Sequence, residues 1–332
     1  MTRELTIAGF SVAPGSKATH LIELVELPDG AKIHLPVVVI NGVADGPRLY
    51  LGAGIHGDEE NGVQIVSRVL AQVNPAQLSG SLVCVPVQNP LAFQFDHRIP
   101  LGLYLKSPLD QAPIDPWSCF PGNRDGNVTE MLTHRLFELI TSCQYAIDIH
   151  TPTRGGRYVP ITILPHPSLG KPFERAEQRA LAFGSGYVMR TEKGMYVRDG
   201  VLCVEATRAD VPTIMFEIGE GGRLEWEITA IGVRCVQNAL RFLKMIPGEI
   251  EKPPETVLMR EFVGLRARRG GLLSTEASLG SRVKKGDLLA RISSIYGEEV
   301  ERFVAPVDGV FVRATTFPTV ATGERVATLG IE

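Results

Sequence analysis

His56 and Glu59 stand three residues apart in the glycine-rich segment Gly52–Gly62, which reads GAGIHGDEENG. The segment follows a short apolar strand and opens a helix, so the two side chains can converge on one point at the start of that helix. Zinc favours imidazole and carboxylate ligands, and a catalytic zinc site takes three of them and leaves one position for water. The pair therefore predicts two ligands of a metal site.

A third ligand is expected from His150, in the segment Tyr145–Thr151, which reads YAIDIHT. This histidine lies just past the end of a predicted strand. In open α/β sheets, ligands bind beyond the carboxyl ends of the strands, which is where His150 would stand. The neighbouring Asp148 is a candidate acceptor for a ligand histidine, because such histidines usually have a partner of this kind. A structural Asp in the strand is the alternative.

Other interpretations of these residues remain open. A His-x-x-Glu pair is also common on polar surfaces, and a histidine after a strand is often an ordinary loop residue. The three glycines Gly52, Gly54 and Gly57 could mark a phosphate-binding loop. Their spacing fits neither Gly-x-Gly-x-x-Gly nor a lysine-bearing P-loop, and no acidic ribose partner is suitably placed. A nucleotide site is therefore the weakest of these interpretations.

A metal-activated water needs a base to take its proton. Glu217 follows a run of apolar or small residues in VPTIMFEIGEGG, which begins at Val211. Burial at the end of that strand would raise the pKa of its carboxyl group toward neutrality. The glycines that follow would permit a tight turn and the close approach of a substrate. Alternatively, Glu217 forms a structural ion pair with Arg223 and has no catalytic role. Glu220, which would lie beyond the strand in the turn, is the other candidate for the base.

Strands and helices must position these side chains, and the hydrophobic spacing predicts both. Apolar runs predict strands at residues 48–54, 81–87, 145–149, 161–164 and 211–218, while 3.6-residue periodicity predicts helices at 59–73, 127–141, 172–183 and 224–245. Asn127 and Glu130 resemble a capping box at the start of the second helix. The alternation predicts an α/β layered domain on a mixed or largely parallel sheet.

The two ends of the chain differ from this middle part. Residues 1–45 alternate weakly around Pro28-Asp-Gly30, which predicts a β-rich lead-in with strands at 21–27 and 32–40. A linker rich in Pro and Glu at 246–255 ends a first domain of residues 1–250. Residues 256–332 have no helical periodicity and carry a weak internal repeat, Gly271 to Ile292 and Gly309 to Leu329. They are expected to form a small pseudo-symmetric all-β barrel.

Composition excludes several classes of protein. Lys and Arg total 34 and Asp and Glu total 37, so a net charge of −3 argues against a nucleic-acid or anionic-membrane binder. The uncharged stretch 71–95 is broken by prolines and cannot span a membrane. Five widely spaced cysteines form neither a disulfide framework nor a thiolate zinc site. With no apolar signal segment near Met1, a cytoplasmic location is expected.

Three of these motifs together resemble the succinylglutamate desuccinylase/aspartoacylase family of the zinc-carboxypeptidase-like superfamily. They are His56-Gly-Asp-Glu59, Asp148-Ile-His150 and Phe216-Glu217-Ile-Gly219, in the order that the family has them. The resemblance implies a three-layer α/β/α domain on a mixed sheet that binds one Zn²⁺ per chain. His56, Glu59 and His150 would be its ligands, and Glu217 the general base. The implied substrate is a small acylated amino acid or related N-acyl amine.

The resemblance extends to substrate contacts. Asn89-Pro90 is followed by Arg98, which by this resemblance would polarise the scissile carbonyl group. Many members carry an Asn-Arg pair that grips a substrate carboxylate, but this chain has Trp117 and Ser118 at that place. The other cationic and polar candidates for the grip are Asn123, Arg124, Arg154 and Arg157. Trp117 predicts a flatter or more apolar wall for the substrate.

The C-terminal part resembles the biotinyl/lipoyl-type barrel that some of these hydrolases carry. The likeness rests on Gly280–Asp287 and Ala305–Gly309. A carrier barrel would place a lysine at the hairpin between them, where this chain has Ser293–Glu299 and no lysine. No prosthetic group is therefore expected. The barrel would shape the mouth of the active site or mediate self-association into a homo-oligomer.

The leading hypothesis is thus a zinc-dependent amidohydrolase. A metal-dependent esterase is the neighbouring hypothesis, since zinc hydroxide also attacks esters. A non-catalytic ligand-binding protein of the same fold is the alternative from a different class, and the missing Asn-Arg pair keeps it open. Cobalt, nickel or iron could occupy the same ligand set.

Overall fold

The computed structural model describes residues 4–100 and 115–332. The α-helices of these residues are α1 (Glu60–Gln72), α2 (Pro90–Phe93), α3 (Val128–Thr141), α4 (Lys171–Phe183), α5 (Leu202–Arg208) and α6 (Trp226–Phe242). Short 3-10 helices lie at Pro75–Gln77, Pro116–Ser118, Pro167–Leu169 and Met195–Val197. None of the described helices is both long and apolar enough to cross a membrane.

The strands fall into two groups along the chain. The first group is β1 (Leu5–Ile7), β2 (Phe10–Val12), β3 (Ser16–Glu26), β4 (Lys32–Asn41), β5 (Ala44–Ala53), β6 (Ser79–Val85), β7 (Tyr145–His150), β8 (Gly156–Ile163), β9 (Tyr187–Met189) and β10 (Thr213–Glu220). The second group is β11 (Val257–Met259), β12 (Glu261–Arg266), β13 (Gly271–Thr275), β14 (Arg282–Val283), β15 (Leu288–Ser293), β16 (Glu299–Val304), β17 (Gly309–Thr315), β18 (Thr319–Val320) and β19 (Arg325–Ile331).

Four neighbouring strands, β6, β5, β7 and β10, run parallel and form the centre of one mixed sheet. Antiparallel strands flank them, with β4 and β3 on one side and β8 on the other. Because the central strands are parallel, their carboxyl ends meet at one edge of the sheet. The residues that follow β5, β7 and β10 are therefore brought together.

Helices cover both faces of this sheet. Side chains alternate along β5, so Leu49 and Leu51 pack into one core with α1, α4 and α6, while Tyr50 packs into the other with α3 and α5. The predicted capping box is present, since Asn127 and Glu130 exchange side-chain to backbone hydrogen bonds at the start of α3. The three-layer α/β/α fold on a mixed sheet, with additional antiparallel strands at the C-terminus, confirms the predicted fold class.

The internal repeat corresponds to two similar strand triplets, β13–β14–β15 and β17–β18–β19. They exchange their short strands, because β14 pairs with β17 and β18 pairs with β13. Strand β17 also pairs with β8, so that Arg313 lies opposite Tyr158. The hydrogen-bonded ladder of the mixed sheet therefore continues from β8 into the C-terminal strands. The division into residues 1–250 and 256–332 stays a prediction.

Candidate metal centre and catalytic cavity

His56, Glu59 and His150 meet at the carboxyl edge of the central strands. The loop between β5 and α1 carries the first two, and His150 is the last residue of β7, the strand beside β5. All three side chains are buried, and one ligating atom from each lies within 4.8 Å of the others. These three residues, called here the metal cluster, are the group that the sequence predicted.

The two imidazoles present equivalent nitrogens to Glu59. His56 Nδ1 lies 2.5 Å from Glu59 Oε1, and His150 Nδ1 lies 3.2 Å from Glu59 Oε2. On the far side of each ring, His56 Nε2 lies 3.1 Å from Asp115 Oδ1 and His150 Nε2 lies 2.8 Å from Asp148 Oδ2. A carboxylate beside Nε2 favours the proton there and leaves the Nδ1 lone pair directed toward Glu59.

This arrangement fits a divalent cation. Lone pairs of imidazole nitrogens and a carboxylate repel one another at these distances unless a proton or a metal ion lies among them. Glu59 Oε2 is buried and makes no hydrogen bond within the described residues, so a buried acceptor is left for an ion. Two imidazoles and one carboxylate are a donor set that zinc prefers.

Electrostatics within the metal cluster point the same way. Burial raises the pKa of Glu59, but the charges of His56 and His150 outweigh this and lower it to about 2. Burial lowers the pKa of His150, but Asp148 and Glu59 outweigh it and raise the pKa well above its ordinary value. The carboxylate is thus held ionised, and the cluster retains positive charge that a metal ion would supply in place of protons.

Glu217 joins this site through strand register. In the parallel pairing of β10 with β7, Glu217 lies opposite His150. Its side chain is buried, and Oε2 makes no hydrogen bond within the described residues. Burial raises the pKa of this carboxyl group to about 7, although the charge of His150 opposes the rise. A carboxyl group with such a pKa can both accept and donate a proton near neutral pH.

The competing interpretations of this strand end do not describe its geometry. Glu220 accepts a hydrogen bond from Thr316 Oγ1 at 2.7 Å and lies 3.5 Å from Arg223, so Arg223 approaches Glu220 and not Glu217. The glycines serve backbone packing. A Cβ atom at Gly221 would lie 2.5 Å from the carbonyl oxygen of Asp58. The close approach at Gly221 is thus to a neighbouring loop, while the approach of a substrate stays a prediction.

Arg98 and Asp115 form a connected pair beside the metal cluster. Arg98 donates from Nε and Nη2 to Asp115 Oδ2 at 3.1 and 3.0 Å. The other oxygen, Oδ1, lies beside His56 Nε2 and accepts from the backbone N–H of Trp117 at 3.1 Å. One carboxylate therefore fixes the guanidinium, the imidazole and the start of the 3-10 helix. Sequence reasoning missed Asp115, although an acidic residue before Pro116 was a cap signal.

A cavity of about 240 Å³ opens onto these groups. Its lining combines the metal cluster with Glu217, Arg98 and Trp117, as the sequence suggested, and with four residues that sequence reasoning missed, Tyr158, Tyr196, Arg313 and Arg325. The two arginines come from β17 and β19 of the C-terminal part. Trp117 meets Tyr196 edge to face with ring centroids 5.8 Å apart, which gives the cavity an aromatic wall.

The other residues suggested for substrate binding lie elsewhere. Asn123 and Arg124 are exposed and do not line the cavity. Arg157 also lies outside the lining and forms an ion pair with Glu225 at 2.5 Å. Arg154 pairs with Asp96 near the surface. Local sequence spacing could not show these pairings, because the partner carboxylates come from distant parts of the chain.

Comparisons with known proteins bear on this site. Residues 45–243 match the family described as succinylglutamate desuccinylase/aspartoacylase catalytic domain. The N-alpha-acetyl-L-2,4-diaminobutyric acid deacetylase of Halomonas elongata is 25% identical over 307 residues, which cover 90% of this chain and 85% of that relative. Residues 45–243, which match the family, contain all three residues of the metal cluster and Glu217.

Solved structures share the fold. The product-bound ectoine utilization protein EutE (DoeB) from Ruegeria pomeroyi superposes with a TM-score of 0.83 at 22% identity, covering 95% of each chain. A succinylglutamate desuccinylase/aspartoacylase from Rhodobacter sphaeroides gives a TM-score of 0.80 at 23% identity, covering 95% of this chain and 96% of that one. At these identities the likeness concerns the fold.

Proposed function

The chain belongs to the succinylglutamate desuccinylase/aspartoacylase family, and we propose that it is a zinc-dependent hydrolase that removes an acyl group from an N-acyl amino acid or related N-acyl amine. One observation carries the proposal. Three buried side chains with a zinc-type donor set open onto the same cavity as Glu217, a buried carboxylate whose Oε2 makes no hydrogen bond to the described residues. Metal-assisted hydrolysis needs this combination of ligands and base.

His56, Glu59 and His150 would hold one zinc ion through Nδ1, a carboxylate oxygen and Nδ1. When bound, the ion lowers the pKa of a water molecule and polarises a carbonyl oxygen. Asp115 and Asp148 keep each histidine in the required tautomer and orientation, since each accepts from the far nitrogen of its ring.

Glu217 is the proposed proton carrier. Its carboxylate takes a proton from the attacking water and delivers that proton to the nitrogen of the leaving amine. A pKa of about 7 suits both steps, because the group is partly ionised and partly protonated at neutral pH. The absence of a hydrogen-bond partner for Oε2 within the described residues leaves this oxygen available for the transfer.

Arg98 is proposed to stabilise the oxyanion that develops on the scissile carbonyl group. Its guanidinium lines the cavity and is fixed through Nε and Nη2 by Asp115. A donor that is already oriented before the reaction lowers the barrier more than one that must reorganise. Trp117 supplies a flat apolar wall for the part of the substrate that does not react.

The relative named as a deacetylase of N-alpha-acetyl-L-2,4-diaminobutyric acid supports an N-acetylated amino acid as the first substrate to test. The decisive experiment compares metal content and hydrolysis in one sample. Zinc would be quantified in the purified protein. Release of acetate or succinate would then be followed with N-acetyl and N-succinyl amino acids, with N-acetyl diamines and with matched esters.

We expect about one zinc ion per chain and amide hydrolysis that is lost on chelation and restored by zinc. Faster hydrolysis of the esters alone, with no amide turnover, would replace the deacylase by an esterase. Stoichiometric zinc with no hydrolysis of any member of the series would contradict the proposed function.

A further inference from the structure

Arg313 and Arg325, called here the arginine pair, line the catalytic cavity although both belong to the C-terminal strands. Arg313 lies in β17 opposite Tyr158 of β8, and Arg325 is the first residue of β19. Both side chains are half-buried. Because β17 hydrogen-bonds directly to β8, the mixed sheet that carries the metal cluster also fixes the position of the arginine pair.

The arginine pair has no carboxylate at ion-pair distance among the described residues. Neither guanidinium forms an ion pair with a carboxylate within residues 4–100 and 115–332, and Arg313 donates to Thr315 Oγ1 at a long 3.3 Å. Burial lowers the pKa of Arg313 and the positive charge of Arg325 lowers it further, although Tyr158, Tyr196 and the charge of Glu217 act in the opposite direction. Two neighbouring, partly desolvated cations are unfavourable unless an anion joins them.

The arginines that the sequence suggested for the substrate differ in this respect. Arg98 is bound by Asp115, Arg157 by Glu225 and Arg154 by Asp96. Their charges are therefore already paired with carboxylates of the same chain. The carboxylates of the cavity lining are Glu59, which belongs to the metal cluster, and Glu217. The arginine pair thus remains available for an anionic ligand.

Two tyrosines add neutral donors beside the pair. Tyr158 and Tyr196 line the same cavity, and their hydroxyl oxygens lie 3.2 Å apart. Burial raises the pKa of both, so both hydroxyls stay protonated. Only one hydroxyl can donate to the other in such a pair, so the second O–H can donate to a ligand. Cationic and hydroxyl donors together suit a carboxylate.

We propose that the arginine pair, placed in the cavity of the metal cluster and without an ion-pair partner among the described residues, binds a carboxylate group of the substrate. This inference rests on the proposed function and specifies its substrate class as a carboxylated N-acyl compound. Arg313 and Arg325 would take the role of the missing Asn-Arg grip from another part of the chain. The carboxylate belongs either to the amino acid or to a dicarboxylic acyl group.

Three probes separate these sources. Nα-acetyl-L-2,4-diaminobutyrate has its carboxylate on the amine half, its primary carboxamide has none, and N-succinyl-1,3-diaminopropane has it on the acyl half. kcat and KM would be measured for the zinc-loaded wild type, Arg313→Gln and Arg325→Gln. Arg302→Gln is the matched control, since Arg302 is exposed on β16, pairs with Glu299 and lies outside the cavity lining.

We expect each cavity variant to lower kcat/KM for one carboxylated probe by on the order of ten- to a hundredfold, mainly through KM. Turnover of the carboxamide and all constants of Arg302→Gln should be unchanged. The probe that suffers the loss identifies the half that carries the carboxylate. The proposal would be overturned if the variants lost as much kcat/KM on the carboxamide as on the carboxylated probes. It would also be overturned if neither carboxylated probe showed a loss.

Binding separates this proposal from the proposed function. Calorimetric titration of Glu217→Gln with the same probes, alone and combined with each arginine variant, reports recognition without turnover. If the wild type hydrolyses none of the probes, the deacylase proposal fails for them, while weaker carboxylate binding in the arginine variants still supports the pair. Arg313→Lys and Arg325→Lys, with a melting temperature for every variant, distinguish lost charge from lost folding.

Discussion

The metal cluster and the arginine pair line one cavity, but they differ in whether their charged groups have partners within the described residues. In the metal cluster, Asp115 and Asp148 lie against the far nitrogens of the two histidines, and Glu59 lies between the rings. In the arginine pair, neither guanidinium forms an ion pair with a described carboxylate. Groups fixed by partners are suited to one permanent ion, whereas unpaired charges are suited to a ligand that enters and leaves.

The difference also follows the chain. The metal cluster stands at the ends of central parallel strands, whose register is fixed on both sides. The arginine pair stands in strands added at the flank of the sheet, through β17 and β8. We therefore expect a change in the C-terminal strands to affect the arginine pair while the metal cluster stays in place.

The largest effect is expected from the metal cluster itself. Glu59→Gln removes the charged oxygen between the two imidazoles, so zinc binding and hydrolysis should both be lost, with activity falling on the order of a thousandfold or more. Elemental analysis and the deacylation assay measure the two effects. Glu227→Gln, on the first turn of α6, is the control and should retain full metal content. Normal zinc content in Glu59→Gln would remove Glu59 from the ligand set.

The next largest effect is expected at Glu217. Glu217→Gln should retain zinc but lower kcat by about a hundred- to ten-thousandfold, because the proton carrier is gone. Protonated Glu217 cannot accept a proton, so wild-type kcat/KM should fall as the pH drops below about 7. That limb of the pH profile should be absent from the residual activity of the variant. Retained metal with full activity would exclude Glu217 from the mechanism.

A smaller effect is expected at Asp115, which orients His56 from behind. Asp115→Asn keeps the shape but weakens the acceptor for the imidazole, so zinc affinity should fall by roughly ten- to a hundredfold. Competition with a chelator measures the affinity. Asp125→Asn, an exposed position beside Asn123, should bind zinc like the wild type. Equal affinities for both variants would show that Asp115 only supports Arg98.

The smallest effect is expected at a hydrogen bond between the C-terminal part and the end of β10. Thr316 donates its hydroxyl proton to Glu220, which ends β10. Thr316→Val removes this bond and should lower the free energy of unfolding by about 1 kcal/mol, with zinc content unchanged. Thermal or urea unfolding measures the loss, and Thr319→Val, at an exposed position of β18, is the control. A fall in the zinc content of Thr316→Val would contradict this expectation and show that the C-terminal strands help to hold the metal cluster in place.

Much of the fold was predictable because its signals are local. The 3.6-residue spacing placed a helix at 59–73, and the structure has α1 at Glu60–Gln72. The cap at Asn127 was also read correctly. Helix α5 was missed, since seven residues carry too little periodicity to be recognised. Strand β8 begins at Gly156, not at 161, because its first residues are held by pairing with β17 and not by their own apolar pattern.

The sequence by itself determined the metal cluster and Glu217, because each stands at the end of a strand whose apolar run is visible along the chain and whose parallel neighbours lead to the same edge. Only the tertiary structure decided that Asp115 holds His56 and Arg98, that Arg157 is occupied by Glu225, and that the C-terminal strands line the cavity. The physical reason is that hydrogen bonds and ion pairs between distant residues depend on strand order and register, which no local spacing records.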